Sequence, residues 1–377
     1  MLNKAVFFAL FVAAPVFAQA PDQPVRARAL GATFDGTPGP LNAITDVSGV
    51  LVGHATLNYG EGPHAVRTGV TAIIPRRELG YYPAATFVLN GDAEMSGAIF
   101  AEEFGMLRSP IMLTGTASNG TVFTSVIKWS FDRHPQHPVY MPVVADTWDA
   151  DLNDAFAFPL TETHVRAALD GARAGVVVEG NVGGGTGMIC FGFKGGIGTA
   201  SRRVTIKGAT YTVGVLVQCN QGARSELLVS GKPVGKAIAD LPFEWPDTEV
   251  RAPEKAGSIL IVVGTDAPLE QATLKAMAKR AVLGLARTGG AASPSSGDIV
   301  LAFSTAAIDI DPQTATNKTA PTLFQYAANP LYTAAIQATE EAIINSMVAA
   351  RTMTGRDGSR IHALPHDRLR AMLVADR

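Results

Sequence analysis

The chain has 377 residues, of which 47% are hydrophobic, 7% aromatic and 17% charged, with 38 Gly and 23 Pro. That apolar content excludes a disordered chain, which cannot bury enough surface to offset its ordering entropy. The 31 basic and 33 acidic residues leave a net charge of −2 and no basic field to collect phosphates, so no nucleic-acid partner is expected.

The first twenty residues, MLNKAVFFALFVAAPVFAQA, carry Lys4, an apolar run over 5–16 and small residues at 16 and 18. This pattern is a secretory signal peptide over 1–18. Cleavage after Ala18 is preferred, because cleavage after Ala20 would set Pro21 beside the scissile bond. The run is too short to span a membrane, so a periplasmic protein with no membrane partner after signal removal is expected. Residues 19–40, rich in Pro and Gly, read as an arm or loop.

Strands and helices alternate from Ala43 onward. Residues 70–74 and 84–89 read as strands. Helices are expected over 92–107, 118–129 and 161–173. Strands follow at 176–179, 188–193 and 211–219. Residues 258–263, SILIVV, form a continuous apolar run that fits a strand buried on both faces. Asp266 can cap the next helix, with Pro268 in its first turn and Leu274, Met277, Ala278, Ala281 and Leu285 at helical spacing. A last long helix is expected over 331–351. The segment 243–256, FEWPDTEVRAPEKA, is the one polar, proline-containing linker inside the body, and it directly precedes SILIVV.

Several familiar chemistries lack their motifs. There is no GxSxG elbow and no GxxxxGK[ST], and Gly183 to Gly187 misses GxGxxG because Met188 takes the last glycine position. The seven histidines are scattered without HExxH, so no metal is expected. Cys190 and Cys219 form no CxxC pair, and both sit in apolar, strand-like stretches. An exported chain allows them to pair, but two buried free thiols are the favoured reading.

The chemistry comes into view through an ordered series of blocks: GPLNAITDVSGVLVGH (39–54), RTGVTAIIP (67–75), LNGDAEMSG (89–97), DTWDADLND (146–154), EGNVGGGTGMICFGFKGGIGTASR (179–202), GVLVQCNQG (214–222), GSILIVVGTDAP (257–268), GLARTG (284–289) and SSGDIVLAFST (295–305). Together they resemble the DmpA-type aminopeptidases, the family of the β-peptidyl aminopeptidases and the L-aminopeptidase/D-esterase. The resemblance implies an α/β four-layer αββα sandwich and an N-terminal-nucleophile hydrolase made as an inactive precursor. The chain would cut itself between Gly257 and Ser258, leaving a larger subunit 19–257 and a smaller subunit 258–377 that form one domain.

The residues at that junction suit the reaction. Ser258 Oγ can attack the Gly257 carbonyl, and Gly257 offers no side chain to hinder it. The freed α-amine has an ordinary pKa of roughly 7.7–8, so it can serve as general base for its own hydroxyl and no histidine is needed. The 243–256 linker is expected to swing away after the cut.

By the same resemblance, Ser296 and Asp298 hold the nucleophile's amine, Asn220 supplies the oxyanion donor, Asp146 grips the free amine of the substrate, and Trp148 lies near it. Relatives often carry Glu where Asp146 and Asp298 stand, so both carboxylates are one methylene short. The implied substrate is a small peptide, amide or ester with a free amino group, no cofactor is implied, and a homo-oligomer, a tetramer of cleaved heterodimers, is expected. Two alternatives keep the same fold: an inactive member that binds amino compounds, and an acyltransferase of the ornithine-acetyltransferase type.

Overall fold

An uninterrupted apolar strand has to bury both faces, and the run at 258–263 does so near the middle of a six-stranded sheet. A computed structural model describes residues 25–76, 79–246, 257–307 and 322–374. The signal segment 1–18 and linker residues 247–256 lie outside the described residues.

The strands in chain order are β1 (Leu51–Tyr59), β2 (Val66–Ile74), β3 (Tyr82–Gly91), β4 (Met106–Leu107), β5 (Ile111–Gly115), β6 (Val143–Thr147), β7 (Ile189–Cys190), β8 (Phe193–Lys194), β9 (Gly196–Ile206), β10 (Ala209–Asn220), β11 (Ser258–Thr265), β12 (Gly297–Ser304), β13 (Met353–Thr354) and β14 (Arg360–Ile361). The helices are α1 (Ala98–Phe104), α2 (Asn119–Arg133), α3 (Glu162–Asp170), α4 (Val234–Ala237), α5 (Gln271–Arg287), α6 (Asn329–Val348) and α7 (His366–Val374).

One sheet runs β4-β3-β12-β11-β10-β9 and the other β1-β2-β5-β6. Each contains one parallel pair, β11 with β12 and β5 with β6, and antiparallel neighbours elsewhere. A parallel pair needs a crossover, and α5 and α2 supply them.

Three apolar cores separate four layers. Helices α5 and α6 cover the outer face of the six-stranded sheet through Leu274, Met277, Ile343 and Met347. Helices α2 and α3 cover the smaller sheet through Val122, Val126 and Val165. Between the sheets lie Ile73, Leu113, Val143, Leu216, Leu260, Val262 and Leu301. This is the αββα sandwich.

Several local expectations are corrected. The helix expected over 92–107 is only α1, because residues 92–97 turn back onto the smaller sheet: Met95 bridges Ala145, and Gly97 takes φ +79°. Residues 176–179 form no strand, and Val176 and Val178 are exposed on either side of buried Val177. Residues 188–193 split into β7 and β8 because Phe191 and Gly192 both take positive φ in a tight hairpin. Asp266 does not cap α5. Its carboxylate accepts from the Thr212 N–H at 2.7 Å, and Glu270 stands at the N-cap.

The cysteines are not free: Cys190 and Cys219 form a disulfide. The β7–β8 hairpin folds over the end of β10 and brings their Cα atoms to 5.5 Å, inside the range a disulfide spans. Strand-like sequence around each cysteine says nothing of this approach.

The glycine-dense turn 183–187 packs the two sheets together. The Gly183 and Gly184 N–H groups donate to Thr56 and Thr71 hydroxyls at 2.8 and 3.1 Å. A Cβ on Gly184 would stand 2.5 Å from the Leu113 carbonyl oxygen. Buried Lys194 ties the same region by donating to the Met188 and Gly195 carbonyls at 2.5 and 2.9 Å. Burial pushes its ammonium well below the ordinary lysine value.

Candidate active site

Strand register assembles the site. Asn220, the last residue of β10, pairs with Ser258, the first of β11. On the other side of β11, Ile259 pairs with Asp298 of β12, and Asp298 faces Asn90 of β3. Four adjacent strands therefore deliver their polar ends to one place at the floor of a cavity of about 1090 Å³. Ladder hydrogen bonds along apolar strands hold these positions, so the backbone carries most of the alignment.

Ser258 is 5% exposed. Its Oγ accepts the Gly297 N–H at 3.0 Å and donates to the Asp92 carbonyl at 3.4 Å. The Ser296 hydroxyl bridges the Gly257 carbonyl oxygen and Asp298 Oδ1, the latter at 2.7 Å. Asp298, although one methylene shorter than Glu, therefore reaches Ser296. Asn90 Nδ2 donates to its other oxygen at 2.9 Å. Burial raises the Asp298 pKa above the ordinary carboxylate value, and the bonds from Ser296 and Asn90 oppose the rise.

Gly257 has a packing reason to be glycine. A Cβ there would lie 1.9 Å from the Asn220 carbonyl oxygen. No side chain fits without pushing β10 and β11 apart.

The Asn220 amide is held at both ends. Its Oδ1 accepts the Ile189 N–H at 2.7 Å, and its Nδ2 donates to the Trp148 carbonyl at 2.8 Å. One amide hydrogen remains to donate.

The opposite wall comes from the smaller sheet. Asp146 on β6 is 2% exposed and accepts from Asn119 Nδ2 at 2.6 Å. Burial raises its pKa, hydrogen bonds from Thr116 and Asn119 lower it, and the neighbouring Glu94 carboxylate raises it further. Asp92, Glu94 and Asp151 also face the cavity, so this end suits a cation. Trp148 lines the cavity too, half-exposed, with Phe156 edge-on at 6.2 Å.

The structure thus brings together every residue singled out from the sequence: Ser258, Ser296, Asp298, Asn220, Gly257, Asp146 and Trp148. It adds Asn90, Asp92 and Glu94, which stand in a sequence block that had no roles attached. It also adds Ile189, which acts through its backbone N–H and so leaves no side-chain signal.

The described start of the linker, residues 243–246, is fastened to the body of the protein. The Glu244 N–H and carbonyl both bond Arg360 at 2.9 Å, and its carboxylate meets His362 Nε2 at 2.6 Å. Phe243 and Trp245 flank this clamp, stack with ring centroids 4.2 Å apart and line the cavity.

Among the described residues no group of three or more His, Cys, Asp or Glu is placed to hold a metal ion. No described helix is long and apolar enough to cross a membrane.

Residues 42–361 match the model of peptidase family S58. The chain is 44% identical to β-peptidyl aminopeptidase BapA of Sphingosinicella xenopeptidilytica over 93% of its length and 91% of the relative's. BapA of Sphingosinicella microcystinivorans is also 44% identical, over 98% of this chain and 96% of the relative. The solved L-aminopeptidase D-Ala-esterase/amidase of Ochrobactrum anthropi, a serine aminopeptidase and variant of the Ntn-hydrolase fold, superposes with a TM-score of 0.86 at 40% identity, covering 93% of this chain and 98% of that one. An αββα sandwich, a family model matched over residues 42–361 and two relatives at 44% identity converge: the chain belongs to peptidase family S58, the serine aminopeptidases with an N-terminal-nucleophile fold.

Proposed function

We propose that this aminopeptidase is exported to the periplasm, matures by cutting its own Gly257–Ser258 bond, and then removes N-terminal β-amino acyl and small α-amino acyl groups from peptides, amides or esters. The similarity to two β-peptidyl aminopeptidases supports the substrate class. The observation that carries the proposal is the register itself, which sets Ser258 between Asn220 and Asp298 at the cavity floor.

Maturation begins as Ser258 Oγ attacks the Gly257 carbonyl carbon. The new oxyanion stays on the oxygen that Ser296 already bonds. Ser296, which also bonds Asp298 Oδ1 at 2.7 Å, stands beside that oxygen to donate to it. The Ser258 hydroxyl proton passes to the Ser258 nitrogen as the C–N bond breaks, leaving a free amine and an ester between Ser258 Oγ and the Gly257 carbonyl carbon. Water hydrolyses the ester and leaves a Gly257 carboxylate and a free Ser258 amine.

In turnover that amine removes the Ser258 hydroxyl proton as Oγ attacks the substrate carbonyl. The spare Asn220 N–H stabilises the tetrahedral oxyanion. The leaving amine departs protonated, and water releases the acyl group by the reverse sequence. Asp146 and its acidic neighbours hold the substrate ammonium and so limit cleavage to one residue from the amino end. The working form is proposed to be a tetramer of cleaved heterodimers.

The test combines N-terminal sequencing of the smaller fragment with hydrolysis of β-alanyl, L-alanyl and D-alanyl p-nitroanilides. A fragment beginning at Ser258 and turnover of the β-alanyl compound are expected. An intact chain that still hydrolyses these amides overturns the proposal.

A further inference from the structure

The disulfide lies beside the catalytic amide. Cys219 immediately precedes Asn220, and Cys190 immediately follows Ile189, whose N–H holds Asn220 Oδ1 at 2.7 Å. On the other side of Cys190, the Phe191 N–H bonds the Gln221 carbonyl at 2.6 Å. Residues 189–191 are therefore each fastened to one residue of 219–221, with the covalent bond at Cys190 flanked by a hydrogen bond on either side. Both cysteines are fully buried. The β7–β8 hairpin that supplies Ile189 has only two residues in each strand, too few for its own ladder to give it independent stability.

We infer that the Cys190–Cys219 disulfide is a positioning element for turnover: it holds the Ile189 N–H against Asn220 and so keeps the spare amide hydrogen aimed at the oxyanion. This rests on the proposed oxyanion role of Asn220. With the Ile189 contact loosened, only the Trp148 carbonyl holds the amide, through Nδ2 at 2.8 Å, and an amide held at one end turns more readily to present its oxygen to the developing negative charge, which repels it. Without the covalent bond, the hairpin is held against β10 only by hydrogen bonds and packing. The transition state loses more than the ground state, because only the former carries the oxyanion. The device also suits an exported enzyme, since disulfides persist in oxidising compartments.

A four-cornered cycle tests it on purified, cleaved enzyme. Cys190→Ser with Cys219→Ser, and separately the paired Cys→Ala changes, are made with Asn220 present and in an Asn220→Ala background. Thermal melts and fragment masses establish that each protein is folded and cut. With Asn220 present, kcat is expected to fall about tenfold while KM stays within about twofold. This is a part of the roughly 100- to 1,000-fold that a complete oxyanion donor supplies. In the Asn220→Ala background the same removal should change kcat by less than about twofold, because the two act as one unit.

Unchanged kcat without the disulfide, or an equal fold-loss in both backgrounds, overturns the inference. Full kcat in Asn220→Ala alone overturns it as well, and shows that the failure lies in the oxyanion assignment. If neither paired variant folds, the cleaved wild-type enzyme is reduced with dithiothreitol in sub-denaturing urea until two thiols per chain titrate. Dithiothreitol supplies two electrons and two protons, the S–S bond breaks to two thiols, and the reagent closes to its own cyclic disulfide. A kcat that falls and returns on reoxidation supports the inference, and one that does not change at two thiols per chain overturns it.

Discussion

Ser258 and Asp146, the proposed nucleophile and the proposed substrate-binding carboxylate, reach one cavity from different sheets, and they are held there by different means. Ser258, Asn220 and Asp298 sit at the ends of β11, β10 and β12, where ladder pairing fixes them relative to one another. Asp146 sits on β6 of the smaller sheet, and its carboxylate is held by side chains, Asn119 and Thr116. Backbone register tolerates no adjustment short of breaking the sheet. Side-chain reach changes with one methylene. On the proposed function, the large sheet sets whether chemistry occurs and the small sheet sets what is accepted.

The sharpest way to break this division is Ser258→Ala. Both self-cleavage and turnover should disappear, with kcat/KM down by at least about 10⁴-fold. Gel electrophoresis should show one uncut chain. Two fragments, or surviving amidase activity, would remove Ser258 from both steps.

The loop after β6 should also carry a pH-sensitive part of the stability. Burial pushes Asp149 up from the ordinary aspartate value of 3.8 to about 6. A raised folded-state pKa means that the folded chain binds more protons. The stability this group contributes is complete below about pH 3.8 and is lost as pH rises through about 6. The loss is about 3 kcal/mol. Asp149→Asn should flatten the melting temperature across that window, and a slope identical to wild type would show that Asp149 does not titrate there.

Asp146→Asn should cut kcat/KM for aminoacyl amides by roughly 10- to 100-fold, the worth of a charged hydrogen bond. Self-cleavage, which involves no free amine at that position, should proceed at the wild-type rate. Slowed cleavage would mean the two sheets are not separable in this way. Asp146→Glu should shift the relative rates on β-alanyl, L-alanyl and D-alanyl p-nitroanilides, and unchanged ratios would take selectivity away from side-chain reach.

The smallest effect is expected at the clamped aromatic wall. Trp245→Ala should raise KM severalfold with little change in kcat, since about 1 kcal/mol of apolar contact is lost from ground and transition states alike. Unchanged KM would show that the Phe243–Trp245 pair bounds the cavity without touching substrate.

Much of the architecture was legible before any coordinates. The apolar run at 258–263 required a buried strand, and helical spacing located α2, α3, α5 and α6 to within a few residues. The layered sandwich and the grouping of Ser258, Asn220, Ser296, Asp298, Asp146 and Trp148 followed from ordered resemblance, because long blocks in sequence are more specific than any short motif. Helical periodicity over 92–107 misled, since the apolar residues there pack onto a sheet edge and the turn serves the cavity.

By itself the sequence determined which strands are buried and which polar residues end those strands, because burial pattern and residue chemistry are local properties. The tertiary structure alone decided that Cys190 meets Cys219, that the Ile189 N–H orients Asn220, and that Glu244 is pinned to Arg360 beside the aromatic wall. Each of these joins residues about 30 to more than 100 positions apart through a backbone group or a close approach of two chains. Such contacts arise only when the chain folds back on itself, and no spacing along the sequence records them.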